Sequence, residues 1–147
     1  MRLSGAVPAV EAAVARLGGE PVDEGERFWQ ELRDHRHRFF ARSVAEGSTL
    51  WRLSVKSTAP YADLRGDQLV EWGGALRWLD GGARVDPVKL RAWAREHGGH
   101  ATLFRAPDKS AGVFHPLPPP LLEIHRRLKA EFDPHRMFNP GRLYGSL

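Results

Sequence analysis

The sequence predicts an α+β protein built on a four-stranded antiparallel sheet, and three observations lead there. Thr49–Lys56 and Gln68–Leu79 alternate apolar and polar residues with a period of two. Four other stretches, Val10–Leu17, Phe28–Phe39, Leu90–His97 and Leu121–Phe132, repeat their apolar residues at helical spacing. With Met1–Gly5 and His100–Arg105 read as strands, the order is strand, helix, helix, strand, strand, helix, strand, helix. That is the ferredoxin-like β-α-β-β-α-β plan, with helices on one face of the sheet, one inserted helix and an extra C-terminal helix.

Each element has a local cause. Pro8 suits a first helical turn; Val10, Ala13, Val14 and Leu17 make one stripe, and Gly18-Gly19 ends it. Asp23 or Glu24 opens a second helix with Phe28, Leu32, His35 and Phe39 on one face and a charged opposite face. In Thr49–Lys56, Trp51, Leu53 and Val55 face one side; Leu50, Arg52, Ser54 and Lys56 face the other. Ser57–Arg65 is a loop containing Pro60. Gln68–Leu79 reads as a single strand, with Val70, Trp72, Leu76 and Trp78 on an apolar face and Glu71, Gly73, Ala75 and Arg77 opposite. That places Trp72 and Trp78 in the core, and Arg77 on the same face as Arg52. Asp80-Gly81-Gly82 turns the chain, and Asp86-Pro87 starts a helix bearing Leu90, Trp93, Ala94 and His97.

After a proline-containing loop, Ala106–Pro120, the C-terminal helix carries Leu121, Ile124, Leu128 and Phe132 on one face. Phe132-Asp133-Pro134 stops it, because the residue before a proline is pushed out of the α region. Asn139-Pro140-Gly141 fixes the exit, and the same rule predicts an extended Asn139 with its amide held out from the chain. Residues 1–106 read as one domain, with 107–147 as a loop, helix and tail packed on it.

Composition excludes several classes. A chain of 147 residues, 41% hydrophobic and 27% charged, is that of a soluble globule with its own core. The net charge of +4 is spread through alternating basic and acidic residues, which argues for a mixed solvated surface and against a nucleic-acid patch. The absence of cysteine removes disulfides, thiolate nucleophiles and cysteine-ligated zinc or iron–sulfur sites from this chain. No apolar run reaches transmembrane length, and Glu11 and Arg16 interrupt any signal-peptide core, leaving the cytoplasm as the default location. The seven histidines form no recognised metal motif: His35 and His37 diverge on a helix, His97 and His100 straddle a Gly-Gly turn, and the others are scattered. The glycine doublets lack the spacing of a phosphate loop, so the chain has no means of its own to grip a dinucleotide.

Two blocks carry a family resemblance. Phe132-Asp133-Pro134 followed by Asn139-Pro140-Gly141-Arg142-Leu143, and the block Glu71-Trp72-Gly73-Gly74-Ala75-Leu76-Arg77-Trp78-Leu79, resemble the C-terminal cap domain of FAD-linked oxidases of the vanillyl-alcohol oxidase type. Among these the likeness is to the FAD-binding subunits of bacterial glycolate oxidases. The resemblance implies oxidation of a small 2-hydroxy acid on FAD, with the cofactor held mainly by a domain absent from this chain. The implied partners are that flavin-binding domain or subunit, a second flavoprotein subunit and an iron–sulfur subunit. Nucleic acid and a transmembrane segment are not implied. The expected location is cytoplasmic, with attachment to the inner face of the membrane through partners.

The resemblance also gives the second sheet face a use. Arg52, Ser54, Lys56 and Arg77 would hold the substrate carboxylate, a task the planar fork of arginine suits. Gly73 and Gly74 would let a flat ring approach the backbone, Asn139 would stand beside the flavin, and Arg142 would meet a phosphate or a surface acid. Pattern alone reads the same face as solvated. No general base stands on it, and His100 is a distant candidate. The alternative reading is a non-enzymatic ferredoxin-like module for ligand binding or dimerisation. An RNA-binding version would need exposed sheet aromatics.

Overall fold

The computed structural model describes residues 2–45, 48–81 and 85–147. The chain divides into two compact units, Met1–Arg42 and Ser43–Leu147. Met1 and Gly82, which the sequence placed in a strand and a turn, lie outside the described residues.

The second unit contains the sheet. Its strands are β1 (Leu50–Ser54), β2 (Asp67–Glu71), β3 (Leu76–Asp80) and β4 (His100–Arg105). They lie in the order β2-β3-β1-β4, every neighbouring pair antiparallel. This is the ferredoxin-like four-stranded α+β sheet expected from the sequence, but its strands are drawn differently from the chain. Residues 2–5 form no strand. The missing strand comes from Gln68–Leu79, which is a hairpin: Glu71 pairs with Leu76, and Trp72–Gly74 make a tight turn between them. Gly73 and Gly74 adopt φ of 60° and 99°, the left-handed region that glycine enters at little cost. A Cβ on Gly74 would stand 2.8 Å from the Ser57 carbonyl oxygen, so the turn also needs a residue without a side chain.

The hairpin changes the facing of only part of this stretch: Val70 shares a face with Arg77 and Leu53, while Trp78, buried at 3% exposed as expected, shares one with Arg52. Trp72 has φ 52° and is 77% exposed, so it is a turn residue and not core. Trp72→Ala should therefore change stability by no more than about 0.5 kcal/mol, as surface substitutions usually do. A thermal melt showing a loss several times larger would return Trp72 to the core.

Helix α4 (Pro87–Glu96) crosses one sheet face. Asp86 caps it by accepting hydrogen bonds from the Val88 and Lys89 amides at 2.9 and 3.2 Å. Leu90 and Ala94 bury against Trp51, Leu53, Leu79 and Leu103. The cation of Arg91 lies 5.2 Å from the Trp51 ring centre, and its two terminal nitrogens hold the Ala111 and Gly112 carbonyls, each at 2.6 Å. The loop after β4 is thus tied to α4, and it returns along the sheet edge, where the Leu103 amide donates to the Val113 carbonyl at 2.8 Å. Helix α5 (Pro119–Phe132) follows, ending where Asp133-Pro134 was expected to stop it.

The first unit holds two helices and the start of a third, which continues past Arg42. The first, α1 (Val7–Leu17), ends at Gly18 as expected. The long second helix expected from Phe28–Phe39 is broken into α2 (Gly25–Arg33) and α3 (Arg38–Ala45). His35, at φ 54°, makes the break and stacks on Phe40 with ring centres 4.3 Å apart. Among the described residues of these segments, Leu32 and Phe40 are buried.

Candidate functional site

Two places within Ser43–Leu147 each gather some of the predicted site residues. On the sheet, Arg52 pairs with Trp78 on one side and Thr102 on the other, so these three share a face. In the adjoining row Ser54 lies between Leu76 and His100. The Arg52 guanidinium carbon sits 5.9 Å from the Trp78 ring centre, within cation–π reach. The Trp78 indole N–H donates to Glu71 Oε2 at 2.7 Å, which anchors the ring beneath the arginine. One oxygen of Glu71 is thereby hydrogen-bonded to the indole. Among the described residues no carboxylate lies within ion-pair distance of Arg52.

Arg77 does not join this group. It pairs with Leu53, on the face of the sheet opposite Arg52. The hairpin parity and the pairing of Arg52 with Trp78 together overturn the expectation that the two arginines converge. Arg77 is 5% exposed. Its guanidinium donates to the carbonyls of Gly74 at 3.1 Å, Pro60 at 2.6 Å and Ala59 at 2.6 Å, and lies over Trp93. Those contacts use its fork to tie the Ser57–Arg65 loop to the hairpin turn, leaving little of it for a carboxylate. Lys56 lies beyond the end of β1, exposed, with its aliphatic stem against Gly98.

The second place is a groove of about 860 Å³ formed by the loop after β4, α5 and the C-terminal tail. Asn139 and Arg142 both line it, together with Lys109, Phe114, His125 and Leu143. Gly73 and Gly74 do not: they lie in the hairpin turn. Asn139 is left-handed, at φ 47°, and not extended as its place before Pro140 suggested. Asparagine is among the few residues that tolerate that conformation.

The tail is held by charge. Asp133, 6% exposed, accepts from the Met137 amide at 2.9 Å and the Phe138 amide at 3.0 Å. Lys129, one helical turn before it, donates to Asp133 Oδ2 and to the Phe138 carbonyl. The Lys129 hydrogen bond, with the two backbone donors, lowers the Asp133 carboxyl from its usual 3.8 to about 2. A carboxyl whose pKa is depressed on folding contributes stability that is complete above the unfolded value and lost as pH falls through the folded one. The Met137 and Phe138 amide resonances should thus titrate with a midpoint near pH 2. A midpoint at an ordinary carboxylate value would show that Asp133 does not make these bonds in solution.

Sequence reasoning missed Lys129 and Asp133 as a pair, and missed Trp78 as a platform for Arg52. The first had a signal, the i, i+4 spacing of Lys129 and Asp133 at a helix end. The second needed the strand register. Among the described residues no three or more side chains are placed to hold a metal ion. No helix among them is long and apolar enough to cross a membrane.

The lining of the groove combines apolar side chains, Phe114 and Leu143, with the polar side chains of Asn139, Arg142 and Lys109.

Compared with known proteins, all 147 residues align with the glycolate oxidase subunit GlcE of Escherichia coli at 46% identity. The chain spans 39% of that protein's length. The resemblance read from the two sequence blocks thus extends along the whole chain. No family model matches the chain, and no solved structure does.

Proposed function

We propose that the chain is the cap, or substrate, domain of an FAD-linked oxidase or dehydrogenase acting on glycolate or a closely similar 2-hydroxy acid. The observation that carries this is the 46% identity with a glycolate oxidase subunit over every residue of the chain. The geometry supports a division of labour. Arg52, braced on Trp78 and lacking an acid partner among the described residues, takes the substrate carboxylate, with Ser54 and Thr102 on the same face. Asn139, Arg142 and Lys109 hold one edge of the flavin. FAD, when bound, supplies the two-electron oxidation, and this chain binds and orients the acid against it. A flavin-binding domain elsewhere grips the diphosphate, since the chain has no phosphate loop. A second flavoprotein subunit and an iron–sulfur subunit then take the electrons on the cytoplasmic side of the membrane.

The test is reconstitution. The chain purified alone should carry no flavin absorbance after gel filtration and should not oxidise glycolate. Joined to the remaining length of a glycolate oxidase subunit, it should restore both. Flavin retained by the chain alone, or a joined protein that binds flavin yet ignores glycolate, would contradict the proposal.

A further inference from the structure

The groove residue Asn139 sits on a tail that apolar burial does not hold. Phe132, Met137 and Phe138 are 80%, 74% and 67% exposed. The backbone is nevertheless bent through three left-handed residues, Arg136 at φ 52°, Asn139 at φ 47° and Gly141 at φ 68°. Two of the three carry side chains, and such conformations persist only where the surroundings enforce them. The enforcing contacts are polar and meet at one point. Asp133 receives the amides of Met137 and Phe138, Lys129 binds both Asp133 and the Phe138 carbonyl, and the Arg136 amide donates to the Asp133 carbonyl at 3.0 Å. Both peptide groups immediately before Asn139 are thereby fixed by two side chains of the α5 terminus. Beyond Asn139, its carbonyl accepts from the Arg142 amide at 3.2 Å, which links the two groove residues.

We propose that Asp133 and Lys129 are positioning residues: a buried ionic clamp that sets the Asn139–Arg142 turn in the geometry the flavin edge requires. This rests on the reading of the groove as a flavin-side site. Lys129 lines the groove beside Asn139, whereas Asp133 does not line it, so neither carboxylate oxygen of Asp133 needs to touch the cofactor. In Asp133→Asn one acceptor becomes an amide donor facing the donors it formerly received, and the charge holding Lys129 is gone.

Two readouts test this. In the chain itself, Asp133→Asn should speed amide exchange at Met137 and Phe138 about ten- to a hundredfold, the range expected when charge-assisted bonds are lost. Exchange in β1 and β3 should be unchanged. Lys129→Gln should produce the same pattern more weakly. In the intact flavoprotein, Asp133→Asn should weaken FAD retention and alter the visible flavin spectrum, as Asn139→Ala does. Unchanged exchange at Met137 and Phe138 would overturn the clamp. Faster exchange with the FAD affinity and spectrum of the parent, while Asn139→Ala lowers that affinity, would overturn the positioning role. If Asn139→Ala and Arg142→Ala both leave FAD untouched, the flavin-side reading fails, whatever the exchange rates show.

Discussion

Arg77→Ala costs about 3 kcal/mol of stability, because a buried cation that satisfies three carbonyls is removed and charge-assisted bonds contribute roughly 1.5–3 kcal/mol each without adding fully. The carbonyls of Gly74, Pro60 and Ala59 lose their donor at once. Water can replace it only by opening the loop, since the site lies beneath Trp93 against the α4 face of the sheet. The loss should appear as a lower denaturation midpoint and earlier proteolysis between Ser57 and Arg65. Arg77→Lys should fall between the variant and the parent, because one ammonium cannot span three carbonyls fixed by a planar fork. In the fraction that folds, glycolate affinity should equal the parent's. An unchanged midpoint together with weakened glycolate affinity would return Arg77 to the substrate site and contradict its place in the fold.

Arg52→Ala should do the reverse. On the opposite sheet face, Arg52 makes a cation–π contact and no ion pair among the described residues, so its removal should cost little stability. A sheltered bidentate pair with a carboxylate is worth roughly 1.5–3 kcal/mol, so the glycolate KM should rise about ten- to a hundredfold. Flavin content should stay that of the parent. Arg52→Lys keeps the charge and loses the fork, and should recover only part of the affinity. Loss of flavin in either variant would mean that Arg52 serves the cofactor.

The contrast between these two arginines shows where sequence reading stopped. Alternation along Thr49–Lys56 gave the facing of β1 correctly, because Trp51, Leu53 and Val55 make a strong apolar face on an unbroken strand. The same rule failed over Gln68–Leu79, where the alternation continued through Trp72-Gly73-Gly74 as if no turn were there. Two adjacent glycines between apolar runs are a hairpin signal, and it was legible. Even with the turn placed, the pairing of Arg52 with Trp78 was not, because register depends on the partner strand and shifting it by one residue exchanges the faces. At the C-terminus the stop at Asp133-Pro134 followed from proline sterics. The left-handed Asn139 did not, because a nonlocal clamp overrides the local preference for extension before Pro140.

The α5 stripe of Leu121, Ile124, Leu128 and Phe132 shares one helical face, yet all four are exposed. Helical spacing reports which residues share a face. It does not report what covers them.

The most direct test of the central claim is an anaerobic glycolate titration of the flavin spectrum in the intact protein that contains this chain, run beside its Arg52→Ala variant. The account predicts saturable bleaching of the flavin in the parent. In the variant, half-saturation should move to about ten- to a hundredfold more glycolate, with the same flavin content and the same final spectrum. A flavin that glycolate does not bleach, or identical titration curves for parent and variant, would contradict it.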